Sequence, residues 1–400
     1  MSLNTVPSSE RIHIAFFGRR NAGKSSVVNA VTGQTLSVVS DVKGTTTDPV
    51  YKAMELLPLG PVMMIDTAGI DDEGELGALR IEKTLAVLAK TDIAVLVVDG
   101  TSGLADADRQ LLDEFRKRKL PCIIAYNKSD LTGCETTDSI HEICVSAQTG
   151  QNINELRELI AKQIAPDTNP KPLLADLIST GDFIVLVIPI DESAPKGRLI
   201  LPQQQVIRAA LEAGAVPICC KETELALTLT HLPSSPRMVI TDSQAFGKVA
   251  KLVPESVPLT SFSILFARYK GDLETVVHGA AALDSLKDGD KILLSEGCTH
   301  NRQCNDIGTV KLPKWISAHA GCSLEFSWSS GTQFPRDLSE YALVVHCGAC
   351  MLPPKEVQFR QSIATEQNIP ITNYGTAIAH CHAILRISLS LFPEVQALLK

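Results

Sequence analysis

The sequence predicts an α/β chain: a P-loop nucleotide-binding domain followed by two smaller α/β domains, all with mostly parallel sheets. Three observations predict it. Short, strongly apolar runs alternate with stretches of helical period from residue 10 almost to the C-terminus, the mark of strands covered on both faces by helices. Strands in the middle of the chain recur about every 30 residues, the length of a right-handed crossover unit. The first strand passes through a glycine-bearing loop straight into a helix, which is the context of a Walker A motif.

Residues 1–168 make the first domain, with strands IHIAFF, VMMID, IAVLVVDG, PCIIAYNK and EICVSA and a last helix NINELRELIAKQIA. The polar, proline-bearing PDTNPKP at 166–172 is a linker by composition. A second domain, 173–262, has strands FIVLVIPI, VPICC and RMVITD, separated by the helical patterns PQQQVIRAALEAG and ETELALTLTHL. So small a sheet has two edges to pair or cover, which suits a homodimer. The third domain, 263–400, begins with the helical ILFARYKGDLETVVHGAAALDSL and returns to strands at DKILLSEG, SLEFSWSS, YALVVHCG and IPITN. It closes on TAIAHCHAILRISLSLF, which has the period of one amphipathic helix. No exact internal repeat is visible.

Composition narrows the function classes. The formal charge of −8 comes without a long basic run, which argues against a nucleic-acid partner. No uncharged apolar run reaches the roughly 18 residues that span a bilayer, and MSLNTVPSSERIHIAFFG lacks the pattern of a secretory signal. The expected location is the cytoplasm, or an organelle stroma or matrix after loss of a targeting segment. With 11 cysteines in such a chain, reduced thiols or metal ligands are expected and a disulfide framework is not. Cys122 and Cys144, in apolar runs, are expected as small buried hydrophobes.

GRRNAGKS at 18–25 names a P-loop NTPase. Asn21, Ala22, Gly23, Lys24, Ser25 and Ser26 would wrap the phosphates at a helix N-terminus, with Lys24 on the β- and γ-phosphates and Ser25 on Mg²⁺. NKSD at 127–130 chooses the base. Asp130 can accept from N1–H and the N2 amine of guanine, whereas adenine lacks that amine and turns an acceptor toward the carboxylate. Asn127 and the stem of Lys128 would hold the ring, and Ser146 and Ala147 in VSAQ would close the pocket. DTAG supplies Asp66 as the outer partner of Mg²⁺ and Gly69 beside the phosphates, and GTTTD offers Thr46 as the switch threonine on Mg²⁺. Five motifs in this order describe a GTPase domain.

A second constellation lies far away: Cys298-Thr-His300, then His346-Cys347-Gly-Ala-Cys350. Both parts follow predicted strands, and the carboxyl ends of strands are where open α/β sheets bind ligands. Three thiolates with imidazoles nearby suit an iron-sulfur cluster with a labile or non-cysteine fourth position. Zinc, held by Cys-x-x-Cys knuckles or a Cys₂His₂ set, and buried structural thiols without a metal are the alternatives. Cys219, Cys220, Cys304 and Cys322 have no matching spacing and are expected as packing thiols. His380 and His382 flank Cys381 in an apolar pattern that favours core or rim positions over metal binding.

Across residues 10–165 the motif wording resembles the TrmE/Era class of GTPases. That resemblance implies a K⁺ ion held by Asn21 beside the phosphates. It also places the apolar Ile70 where other GTPases have a water-orienting glutamine, so the implied hydrolysis is slow and K⁺-stimulated. The acidic run Asp71, Asp72, Glu73 and Glu75 is expected as a solvated loop. GCTHNRQCNDIGTVKLP, DLSEYALVVHCGACML and IPITNYGTAIAH are similar to the C-terminal domain of the [FeFe]-hydrogenase maturation GTPases, the HydF family. This second resemblance implies a [4Fe-4S] cluster on Cys298, Cys347 and Cys350, with His300 and His346 as fourth ligand or as hydrogen-bonding neighbours. It implies a scaffold that receives a transient di-iron precursor from two radical-SAM maturases and delivers it to the apo-[FeFe]-hydrogenase. The competing expectation is a TrmE/Era-type GTPase of RNA modification or ribosome assembly with a zinc-stabilised tail; the lack of a basic aromatic surface or GxxG module counts against it.

Overall fold

The computed structural model describes residues 8–33, 49–56, 59–69, 84–134, 139–163, 171–190, 199–297, 307–331 and 334–399. The chain divides into two compact units, 1–168 and 169–400. In the first, β1 (Ile12–Phe17), β2 (Val50–Leu56), β3 (Gly60–Asp66), β4 (Ile93–Asp99), β5 (Cys122–Asn127) and β6 (Glu142–Cys144) form one sheet in the order β2-β3-β1-β4-β5-β6. All neighbours are parallel except β2, which runs antiparallel to β3. Side-chain alternation along β1 explains its apolar run. Ile14 and Phe16 face the core under α1 (Lys24–Thr32), while Ala15 and Phe17 face the core under α2 (Asp106–Lys117). On the first of these faces the sheet also carries α3 (Ile153–Gln163).

Cys134 and Cys144 are paired as a disulfide across a Cα–Cα distance of 6.0 Å, which corrects the expectation of unpaired thiols and of Cys144 as a lone packing residue. Cys144 ends β6, and Cys134 lies within bridging reach of it.

The second unit holds two four-stranded, all-parallel sheets. β7 (Phe183–Val187), β8 (Val216–Cys220), β9 (Met238–Thr241) and β10 (Leu259–Ser261) lie in the order β10-β9-β7-β8. β11 (Lys291–Glu296), β12 (Glu325–Ser330), β13 (Leu343–His346) and β14 (Ile371–Asn373) lie in the order β12-β11-β13-β14. In chain order both sheets read second, first, third, fourth. The repeat is therefore one of topology, without visible repetition of sequence.

Helices α4 (Leu201–Glu212), α5 (Leu225–His231), α6 (Phe262–Lys270), α7 (Leu273–Ala281), α8 (Leu312–Ala320), α9 (Pro354–Glu366) and α10 (Tyr374–Cys381) complete the unit. One core lies between the first of these sheets and the helices: Leu186 and Ile240 pack with Phe262 and Leu265 of α6, Val276 and Val277 of α7, and Phe392 and Val395 near the C-terminus. The helical stretch after residue 262 breaks at Gly271, and Asp272 caps α7 by accepting from the Thr275 amide at 2.8 Å. The closing segment is not one helix. Ala383 sits at φ 57°, and the chain continues as two short turns, Leu385–Ser388 and Pro393–Gln396. Among the described residues no helix is long and apolar enough to cross a membrane.

Candidate functional site

The P-loop is shaped by close approach. A Cβ at Gly18 would lie 2.2 Å from the Val97 carbonyl oxygen of β4, and one at Gly23, whose φ is 84°, would lie 2.2 Å from Asn127 Nδ2. Only glycine fits either place. Asn21 is exposed and also left-handed, at φ 60°. Lys24, nearly buried, donates to the Arg19 carbonyl at 2.9 Å and so lies across the loop. β1 and β3 are parallel neighbours with Phe16 beside Asp66, which carries Asp66 to the helix that Ser25 helps to open. Ser25 Oγ donates to Asp66 Oδ2 at 2.6 Å, while Asp66 Oδ1 is buried without a hydrogen-bond partner. An orphaned carboxylate oxygen beside a serine hydroxyl fits Mg²⁺ and its waters.

Asn127 joins three motifs. Its Nδ2 donates to the Ala22 carbonyl at 3.0 Å, and its Oδ1 accepts from the Ala147 amide at 3.1 Å. Ser146 is fully buried, and its Oγ accepts from the Thr149 amide. Lys128, at φ 66°, places Nζ 2.5 Å from Asp99 Oδ2. Burial raises the Asp99 pKa, but hydrogen bonds from Lys128 and Thr101 outweigh it and hold the carboxyl below its ordinary range. Asp130 is exposed on the turn Ser129–Thr132. Ser26 lies half-buried in the first turn of α1, and Gly69 ends the described DTAG segment. Thr46, Ile70 and the acidic run after Ile70 lie outside the described residues. Sequence reasoning passed over Arg19, which donates to buried Asp108 at 2.9 Å and to Ser102 and the Gly103 carbonyl, pinning the loop from outside.

Cys347 follows β13 where strand order reverses, between β11 and β13, the crevice in which open parallel sheets bind ligands. Gly297, leaving β11, donates its amide to Cys347 Sγ at 3.1 Å as Cys347 leaves β13. Cys298 is the next residue in sequence after Gly297; Cys298, His300 and Cys304 lie outside the described residues.

A buried lysine holds the loop from 347 to 352. Lys270 on α6, 1% exposed, donates to the carbonyls of Ala349 at 2.9 Å, Cys350 at 3.1 Å and Leu352 at 2.8 Å. Ala349 is left-handed, at φ 52°. Arg360 on α9, also 1% exposed, pairs with Glu356 at 2.8 Å and contacts His346 Nε2 at 2.9 Å. A guanidinium only donates, so His346 Nε2 accepts and its Nδ1–H donates to the Cys347 carbonyl at 2.8 Å. Burial, then Arg360, pushes the His346 pKa down to about 3, and both ring nitrogens are engaged.

Burial raises the Cys347 thiol pKa, opposed by the amides of Gly297 and Ala349 and by Arg360. Burial also raises Cys350, opposed by Lys270. A cavity of about 30 Å³ behind the loop is lined by Lys270, Cys347, Arg360 and Asn373, among others. The Cys347 and Cys350 thiols, the amide donors beside Cys347 and the buried Lys270 and Arg360 are a set that fits an anionic iron-sulfur cluster.

The remaining thiols differ from one another. Cys219, expected as a packing residue, is exposed on β8, whereas Cys220 and Cys322 are half-buried. His380 stands on the rim, 2.9 Å from Asp284, and His382 packs edge-on against Trp315 with ring centroids 5.3 Å apart.

Comparison with known proteins places this architecture. The models of the hydrogen maturase F dimerization domain and of the hydrogen maturase F tetramerization domain match residues 173–271 and 274–391. The chain belongs to the hydrogen maturase F family. A third model, described as a 50S ribosome-binding GTPase, matches residues 13–128 of this maturase. The tRNA modification GTPase MnmE of Laribacter hongkongensis (strain HLHK9) is 34% identical over 161 residues, 39% of this chain and 35% of its own. GTPase Der of Wolinella succinogenes is 36% identical over 176 residues, 40% of this chain and 37% of its own. The chain thus spans little more than a third of the curated relatives it matches. A structure of Era in complex with MgGDPNP and 16S ribosomal RNA nucleotides aligns with 52% of this chain and 91% of its own, at 20% identity and TM-score 0.35. In this maturase the two family models meet between α6 and α7. Lys270 therefore reaches from the last helix of the dimerization match into the thiolate loop of the tetramerization match.

Proposed function

We propose that this maturase hydrolyses GTP with Mg²⁺ and serves as the scaffold that holds a [4Fe-4S] cluster and carries a di-iron precursor to apo-[FeFe]-hydrogenase. The observation that carries the reading is the meeting of Gly297 and Cys347 at the strand-order switch, within a region matched by a hydrogen maturase F model. Cys298, Cys347 and Cys350 would hold the cluster, and a labile or non-cysteine ligand at its fourth iron would let that iron serve as a docking point for cargo. His346, with both nitrogens engaged, orients the loop from beside the site, which leaves His300 as the candidate fourth ligand. The di-iron precursor is cargo, received from radical-SAM maturases.

At the nucleotide, Lys24 and Ser25 bind the phosphates and Mg²⁺, Asp66 positions the metal's waters, Thr46 closes on it, and Asp130 selects guanine. Asn21 holds K⁺ beside the phosphates, and Ile70 leaves the attacking water without a side-chain guide, so hydrolysis is slow. The chain acts as a homodimer in the cytoplasm, with three working parts at 1–168, 173–262 and 263–400. The carrier reading is tested by activating apo-hydrogenase with maturase carrying Cys350→Ser. Loss of activation with GTP turnover preserved supports it, and full activation removes it. GTP hydrolysis in matched KCl and NaCl tests the K⁺ site: faster turnover in KCl is expected, and equal rates dismiss it.

A further inference from the structure

We propose that Asp284, His319 and His380 form a second metal site, separate from the thiolates, that takes a divalent transition ion of the zinc class. Among the described residues these are the three side chains of metal-binding type whose ligand atoms converge, all within 4.8 Å of one another. The Nε2 atoms of His319 and His380 lie 2.7 Å and 2.9 Å from the same Asp284 Oδ1, and the two rings are inclined at 64° with centroids 5.1 Å apart.

Around a tetrahedral ion with bonds of about 2.0–2.1 Å, ligand atoms stand about 3.3 Å apart. The two histidine-to-Asp284 separations, 2.7 and 2.9 Å, need to lengthen by only about half an ångström to admit one. Two imidazoles and one carboxylate match zinc-class ions better than Ca²⁺ or Mg²⁺, which prefer all-oxygen shells.

The scaffold holds the donors in place. Asp284 follows fully buried Leu283 in the turn Ala282–Ser285, His319 lies one turn beyond fully buried Ile316 on α8, and His380 follows buried Ala377 and Ile378 on α10. Leu283, Ile316, Ala377 and Ile378 belong to one core, so the ligands come from three elements fixed on a shared base. The contact between Trp315 and His382 ties α8 to the C-terminal end of α10. Three protein ligands leave one position for water or an outside donor. The ion would staple the turn, α8 and α10 together on the rim of the sheet that bears the thiolates.

The test uses tag-free, full-length protein with its cluster reconstituted, dialysed against Zn²⁺. Expected is one retained zinc per chain whose X-ray absorption shows nitrogen and oxygen neighbours and no sulfur. His319→Ala, His380→Ala and Asp284→Asn should each weaken retention at least about tenfold, with iron content and GTP turnover unchanged. Zn²⁺ should raise the melting temperature of the wild type and not of the variants. Zinc with sulfur neighbours, zinc that persists in His380→Ala, or no zinc above background in the wild type would overturn the proposal and leave the three residues as a hydrogen-bonded cap.

Discussion

Replacing Lys270 with methionine keeps the length and apolar stem of a side chain that is 1% exposed and removes only its charge and donors. Three hydrogen bonds disappear, to the carbonyls of Ala349, Cys350 and Leu352 at 2.9, 3.1 and 2.8 Å. Hydrogen bonds from a charged group are worth about 1.5–3 kcal/mol each, a gross loss of about 4.5–9 kcal/mol. They share one donor and are not additive, and the methionine spares the cost of burying a charge. The net loss expected is about 3–5 kcal/mol. In a domain of this size each kcal/mol moves the melting temperature by about 2–4 °C, so the unit spanning 169–400 should melt about 6–20 °C lower. Because Ala349 is held left-handed, the released loop should relax and lose its grip on the sulfurs' geometry, and reconstituted iron should fall with it. Differential scanning calorimetry and iron analysis on the anaerobic protein read both effects, and GTP turnover reports on the other unit. A variant that melts within about 2 °C of wild type and holds a full complement of iron would refute the reasoning.

Two further predictions concern the first unit. Asp130→Asn exchanges a double acceptor for a mixed donor and acceptor, so GTP affinity should drop about 10- to 100-fold, measured by calorimetric titration, while xanthosine triphosphate, which presents a carbonyl where guanine has its amine, should gain. His13 is buried on β1, and burial, opposed by Asp92, holds its pKa below the ordinary value. The unfolded chain takes up that proton near pH 6.5 and the folded chain only at lower pH, so stability should fall as pH drops below about 6.5. His13→Gln should flatten that slope in urea denaturation; an unchanged slope would assign it to other groups.

The sequence made the parallel strands legible because strands buried on both faces must be apolar throughout, as in β4, where Ile93 to Val98 are fully buried. It hid β2, whose residues Val50 to Lys52 are exposed at a sheet edge, and β10, only three residues long. The nucleotide site was legible because phosphate and base recognition rest on short contiguous motifs. What stayed hidden acts across the fold. Lys270 and Arg360 look like solvated charges on amphipathic helices until the packing buries them. Nothing in the pattern around Cys134 announces Cys144 as its partner, and Asp284, His319 and His380 are lone residues joined only by tertiary structure.

The most direct test of the central claim is electron paramagnetic resonance with iron and zinc analysis on anaerobically reconstituted wild type and Cys347→Ser, with GTP turnover measured on the same samples. The account predicts a reduced S = 1/2 [4Fe-4S] signal that the substitution abolishes while GTP turnover continues. Zinc at the cysteines with no iron signal, or a cluster signal untouched by the substitution, would contradict it.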